Sequence, residues 1–184
     1  MAASRADQHD KDKLARWHGD LAGGVTGAFP LHALFLVSEV DRAAHDVFRA
    51  FRSRFEELGA GFQHLVIFGQ HGVSQAEQTL LARLGLAADA IPSLVLLTAS
   101  DPPLVYTLPL PSGDVGPEVK DPPQAPWRLV LAWVERERVE LAEASGSADE
   151  VKPLALGNIR GMNTGTELSE PVIDLVAGML EQLS

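Results

Sequence analysis

The residues able to do chemistry are fewer than the length suggests. The chain of 184 residues contains no cysteine. Thiolate attack, disulfide exchange and thiolate metal ligation therefore have no donor. Six histidines are present, at positions 9, 18, 32, 45, 64 and 71. Zinc needs three or four converging ligands, and this scatter offers no such spacing. Ser74 and Ser93 lie outside any Gly-x-Ser-x-Gly elbow. No glycine-rich loop matches the patterns that cradle phosphates or dinucleotides. No catalytic, cofactor-binding or metal-binding residue is assigned, and no cofactor is expected. What remains is a carboxylate at the head of a well-patterned helix, in Asp41-Arg42-Ala43-Ala44. A carboxylate there favours the helix dipole.

Composition narrows the partners. The formal net charge is −10, which opposes attraction to phosphate backbones and anionic lipid. Arg49, Arg52 and Arg54 lie among Asp46, Glu56 and Glu57 and read as a mixed, solvated helix face. No stretch reaches the roughly 20 apolar residues that span a bilayer. The first ten residues lack the apolar core of a secretory signal. These readings exclude nucleic acid and membrane insertion and set a cytoplasmic location as the expectation, an organelle lumen after processing staying open.

Hydrophobic patterning supplies the elements. Residues 1–9 read as a loose tail, followed by a helix over about 10–22 with Leu14, Trp17 and Leu21 on one side. Leu31 to Val37 and Phe62 to Phe68 are apolar runs that read as buried strands. Between them a helix over about 39–58 carries Ala44, Val47, Phe48, Phe51, Phe55 and Leu58 inward, with Ser38 as its cap and Asp41 three residues on as an approximate capping box. A helix over about 75–84 follows, capped by Ser74. Strands at 94–98 and 104–108 read as an antiparallel pair. Residues 109–126 are rich in proline and read as a surface loop. A helix is expected over about 126–143. Residues 143–168 read as a linker, with a short extended piece at Val151 to Leu156. A last amphipathic helix over 170–182 would be capped by Ser169. Its apolar side, Val172, Leu175, Val176, Met179 and Leu180, would bury against the main domain or against a second copy.

The order strand, helix, strand, helix, strand, strand, helix resembles the thioredoxin-like superfamily over residues 31–142. Ser38-Glu39-Val40 sits between the first strand and the usual motif position. Leu84-Gly85-Leu86 and then Ile91-Pro92-Ser93-Leu94-Val95-Leu96-Leu97 are similar to that family's approach to its cis-proline strand. The resemblance implies a three-layer α/β/α sandwich with a central mixed sheet, extended here by helices at both ends. It divides the chain into an N-terminal tail and helix (1–30), a thioredoxin-like domain (31–143), and a linker with C-terminal helix (144–184). Where the family places its Cys-x-x-Cys pair, this chain has Asp41 and Ala44. The implied protein is a redox-inactive, noncatalytic member.

The matched surface in that family binds extended peptides through backbone groups. By resemblance, Asp41, Arg42, Ala90, Ile91 and Pro92 are the candidate protein-binding residues, and Trp127 adds an aromatic anchor near the last core helix. The implied function is an assembly factor, chaperone-like adaptor or accessory subunit. The redox-inactive domains of protein disulfide isomerases and the thioredoxin-like accessory proteins of bacterial hydrogenase maturation are both similar, and no residue selects between them. Two alternatives stay open: a homo-oligomeric structural protein joined through the C-terminal helix, and a non-thiol enzyme on the same fold.

Overall fold

The alternation of apolar side chains along the strands decides the layering. In the computed structural model, which describes residues 4–23, 31–57, 65–98, 100–113, 128–129, 132, 159–163 and 165–184, both sheet faces are covered. Strand β1 (Leu31–Leu36) lies inside the sheet. It pairs in parallel with β2 (Leu65–Phe68), Ala33 opposite Leu65, and antiparallel with β3 (Ser93–Thr98), Leu36 opposite Ser93. β3 pairs antiparallel with β4 (Leu104–Pro109), and β4 with β5 (Thr166–Glu167). The order is β2-β1-β3-β4-β5. The parallel first pair and the antiparallel third and fourth strands match the sequence reading.

Successive strand residues point to opposite faces. Ala33, Phe35, Leu94, Leu96, Tyr106 and Leu108 face one side. There they meet Ala44, Val47 and Phe51 of helix α2 (Arg42–Glu57). Phe35 packs edge-on against Phe48 and Phe51, with ring centroids 5.2 and 5.4 Å apart. Leu34, Leu36, Val95, Leu97 and Val105 face the other side. Three helices cover them: α1 (Arg5–Ala22), α3 (Gln75–Arg83) and α4 (Val172–Gln182). The result is a three-layer α/β/α sandwich with a mixed central sheet, consistent with a thioredoxin-like fold in general. Ile91-Pro92 and Asp101-Pro102 are cis. No helix among the described residues is long and apolar enough to cross a membrane.

Four local expectations need correction. Residues 4–9 are not a loose tail, because α1 already begins at Arg5. Ser4 and Asp7 form a reciprocal capping box, with Ser4 Oγ accepting from the Asp7 N–H at 3.1 Å. Ser38 does not start α2; Asp41 immediately precedes it, and its carboxylate turns back onto Ser38. Ser169 does not cap α4, whose cap position is Pro171 with no side-chain hydrogen bond. Finally, residues 159–168 are not merely linker. Ile159 is buried, the Asn163 side chain accepts from Thr107 N–H at 2.8 Å, and Asn163 N–H donates to Thr107 O at 3.2 Å. Asn163 thus pairs with β4 as a strand residue would, just before β5 continues the edge. The expected helix over 126–143 falls mostly outside the described residues, where Arg128, Leu129 and Ala132 are helical. The extended piece at 151–156 falls wholly outside them.

The apolar side of α4 is occupied within the chain. Val172, Leu175, Val176 and Met179 are buried with Leu14 and Trp17 of α1 and Leu80, Leu81 and Leu84 beside them. An oligomer contact through α4 would instead use its outward residues, such as the exposed Ile173. Trp17, 2% exposed, joins α1 to this layer. Replacing it with alanine is expected to cost about 3–5 kcal/mol in a urea titration, as truncation of a large core side chain does. A loss below about 1 kcal/mol would mean that α1 packs loosely on the sheet.

Candidate functional site

Both parallel strands end at the same edge of the sheet, and two polar knots form there. The first is at the head of α2. Asp41 is 7% exposed. Its Oδ2 accepts from Ser38 N–H at 3.0 Å and from Ser38 Oγ–H at 2.6 Å. His45 Nε2 lies 2.9 Å from Ser38 O. The backbone N–H of Asp41 donates to Ser38 O at 3.2 Å, and that of Arg42 to Val40 O at 3.0 Å. These bonds fix a tight turn whose tip is Val40, 71% exposed. Arg42 is also exposed.

Pro92 precedes β3, which pairs with β1 at this edge. Ala90, Ile91 and Pro92 are half-buried, and Ala90 and Ile91 pack against the α1, α3 and α4 layer. Part of this surface is already used by the chain. Leu110 N–H donates to Pro92 O at 2.9 Å, and Ala43 N–H donates to Gly113 O at 3.3 Å. Leu110–Gly113 therefore runs across the head of α2. Asp41 and Arg42 adjoin in one turn, and Ala90, Ile91 and Pro92 form the neighbouring segment. Trp127 lies outside the described residues.

The second knot was not anticipated. Asp10 of α1 is 1% exposed, yet charged residues are rarely buried without partners. Its Oδ2 accepts from Gly69 N–H at 2.8 Å and from Ser74 Oγ–H at 2.7 Å. Its Oδ1 is 3.2 Å from Lys13 Nζ, which also donates to Ile67 O at 2.7 Å. Ser74 Oγ in turn accepts from Glu77 N–H at 3.0 Å and so caps α3. One carboxylate thus joins the end of β2, the start of α3 and the second turn of α1. Lys13 remains pushed below its usual range by burial, with the Asp10 charge opposing that shift.

Glu77 completes the knot. Its side chain is wholly buried, and neither carboxyl oxygen makes a hydrogen bond. Burial and the nearby Asp10 charge push its carboxyl up to about 8, while the Val37 and Ser74 backbone amides and Lys13 pull the other way. Gly69 makes the close approach possible. Its φ is +77°, and a Cβ there would lie 1.9 Å from Val37 O and 2.4 Å from Glu77 Oε2. At the outer margin His9 and His71 meet edge to face, ring centroids 4.6 Å apart. His9 is held below its usual value by burial first, then by Lys13 and His71.

The chemical capacity of these groups is limited by access. An acid held protonated near neutral pH is the type of group used in proton transfer. Asp10, Ser74 and Glu77 are sealed from solvent, so no substrate reaches them. Among the described residues, no group of three or more histidine, aspartate or glutamate side chains could hold a metal ion. With no cysteine in the chain, thiol–disulfide exchange is not available. A signal for the buried knot did exist in the sequence. Asp10 falls in phase with Leu14, Trp17 and Leu21, and Glu77 with Leu81 and Leu84. A charge on an apolar stripe calls for a buried partner.

Comparison of the chain with family models, with curated proteins and with solved structures finds no match in any of the three.

The Glu77 carboxyl is neutral in the fold and ionised in the unfolded chain between pH 4.5 and about 8. The folded state binds the extra proton, so stability falls as pH rises through that window and levels off above it. The stability difference between wild type and Glu77→Gln is expected to change by about 1.4 kcal/mol per pH unit. Urea unfolding at pH 5.5, 6.5 and 7.5 measures it, and a difference independent of pH would refute a neutral Glu77.

Proposed function

We propose that this chain is a redox-inactive, thioredoxin-like protein that works by binding another protein. Membership of that superfamily, and the division into residues 1–30, 31–143 and 144–184, belong to this proposal. The observation that carries it is the turn ahead of α2. Val40 is presented at a tip that Asp41, Ser38 and His45 hold in one geometry. An exposed apolar side chain on a rigid turn loses little freedom on contact, which favours binding. Arg42 stands next to it, and the half-buried Ile91 and Pro92 lie at the same sheet edge.

The mode differs from simple backbone capture. Pro92 O is already engaged by Leu110 N–H. A partner would therefore read side chains, with Val40 and Arg42 first and the Ala90–Pro92 margin second. Asp41 acts as the support for the turn rather than as a contact, since it is buried. An assembly factor, an adaptor or an accessory subunit would each use such a surface.

A photo-crosslinking residue placed at position 40 in the native cell tests this reading, with position 52 as control. Arg52 is exposed on α2 about 15 Å along the helix from Arg42. One stoichiometric protein is expected to crosslink from position 40 and not from 52. Val40→Asp is expected to lower its recovery at least about tenfold, while the unfolding midpoint holds, because an exposed substitution moves stability by only about 0.5 kcal/mol. Absence of a crosslink from position 40, or equal capture from both positions, would reject the surface.

A further inference from the structure

The buried knot contains two carboxyls and one cation. Asp10 and Glu77 are both sealed from solvent, and Lys13 is the cation beside them. Lys13 directs its hydrogen bonds to Asp10 and to Ile67 O. Asp10 has both oxygens engaged, by Gly69, Ser74 and Lys13. Glu77 has neither engaged. The charged groups facing Glu77 are Asp10 and Lys13, both on α1. The ends of β1 and β2 face it with backbone alone, at Val37 and Gly69. His9 and His71 meet at the outer margin, and Asp7 at the surface accepts from Gln75 N–H at 2.8 Å. At the far end Lys11 donates to Leu183 O, and Arg83 of α3 pairs with Glu170.

This arithmetic of charge has one stable arrangement. Ionised Asp10 and Lys13 balance each other, and Glu77 stays neutral only while it keeps its proton. Loss of that proton leaves a second negative charge buried next to Asp10. Relief does not require unfolding the sheet. Every charge opposite Glu77 is carried by α1, and no strand pairing runs through α1. Lifting α1 exposes both carboxyls to water and separates them.

We propose that α1 is a detachable strap whose seating is set by the proton on Glu77. Seated, α1 buries Leu14 and Trp17 against the layer that holds Leu80, Leu81, Val176 and Met179. Lifted, it uncovers that apolar surface and its own. The buried acid also abuts the turn described above, since Gly69 touches Val37 O, one residue before Ser38. The strap proposal stands on the knot alone and does not depend on what Val40 contacts.

Hydrogen exchange, corrected for the intrinsic pH dependence of the chemical step, reads the opening directly. Peptides covering residues 5–22 are expected to show lower protection than those from β1 and β3. Their protection should fall about tenfold from pH 6 to pH 7, because one proton is released on opening in this range. Glu77→Gln should abolish that fall. If this variant does not fold, the wild-type series decides by itself. Constant protection of residues 5–22 across the two pH values would overturn the proposal. So would protection equal to that of β1 and β3 at both, which would mean that α1 opens only with the whole molecule. A fall retained in a folded Glu77→Gln variant would overturn the role of Glu77.

Discussion

The carboxylate of Asp10 sets where three elements meet. It holds Gly69 N–H at the end of β2, Ser74 Oγ at the start of α3, and Lys13 on its own helix. Each contact satisfies a group that burial would otherwise strand. Gly69 and Ser74 are both buried, and an unmet buried donor costs about 1–3 kcal/mol. Removing one partner of such a buried ionic knot costs more than the knot contributes, because the remaining charge is left without compensation. The interaction therefore acts as a constraint on geometry more than as a source of stability. It fixes the phase of α1 against the sheet, and Lys13 then reaches Ile67 O on β2.

The apolar layers follow from that phase. With Asp10 anchored at the end of β2, Leu14 and Trp17 fall one and two turns further along the same side of α1. They meet α3 and α4 over Leu34, Leu36, Val95 and Leu97. The opposite face needs no such anchor. α2 follows β1 directly, and Ala44, Val47 and Phe51 repeat at helical spacing over Phe35. One side of the sheet is thus organised by local sequence, and the other by a contact between residues 59 and 64 positions apart.

The same asymmetry explains what the sequence reveals. β1, α2, β3 and β4 are legible because period-two and period-3.6 patterns act within each segment. The parallel β1–β2 pair follows from the right-handed crossover through α2. The start of α1 is missed because the apolar stripe begins at Leu14, whereas the helix begins at a Ser4–Asp7 capping box whose one apolar residue is the small Ala6. The edge at β5 is missed because only two residues pair there, and Asn163 completes the ladder by its side chain. The turn at Asp41 is half legible. The Ser38–Asp41 spacing predicts a capping box, and Asp41 does bond back to Ser38, but the helix begins at Arg42 rather than just after Ser38. Asp10 and Glu77 escape altogether when each helix is read alone. Each looks like a misfit on its own stripe, and the reason appears only when the two stripes are brought together.

A scaffold without a thiol thus retains two different uses of acidic side chains at one sheet edge. At α2, Asp41 is buried but accepts two hydrogen bonds from Ser38, and it holds a turn in place. At α3, Glu77 is buried beside another carboxylate, and only the nearby Val37 and Ser74 backbone amides and Lys13 favour its charged form. The first arrangement gives the carboxylate two donors and fixes the turn. The second favours the neutral acid, since burial and the Asp10 charge both oppose ionisation. The two meet through Val37, whose carbonyl abuts Gly69 and whose following residue is Ser38. Rigid presentation of Val40 and conditional seating of α1 are therefore adjacent properties of one strand end, and a change in either has a short path to the other.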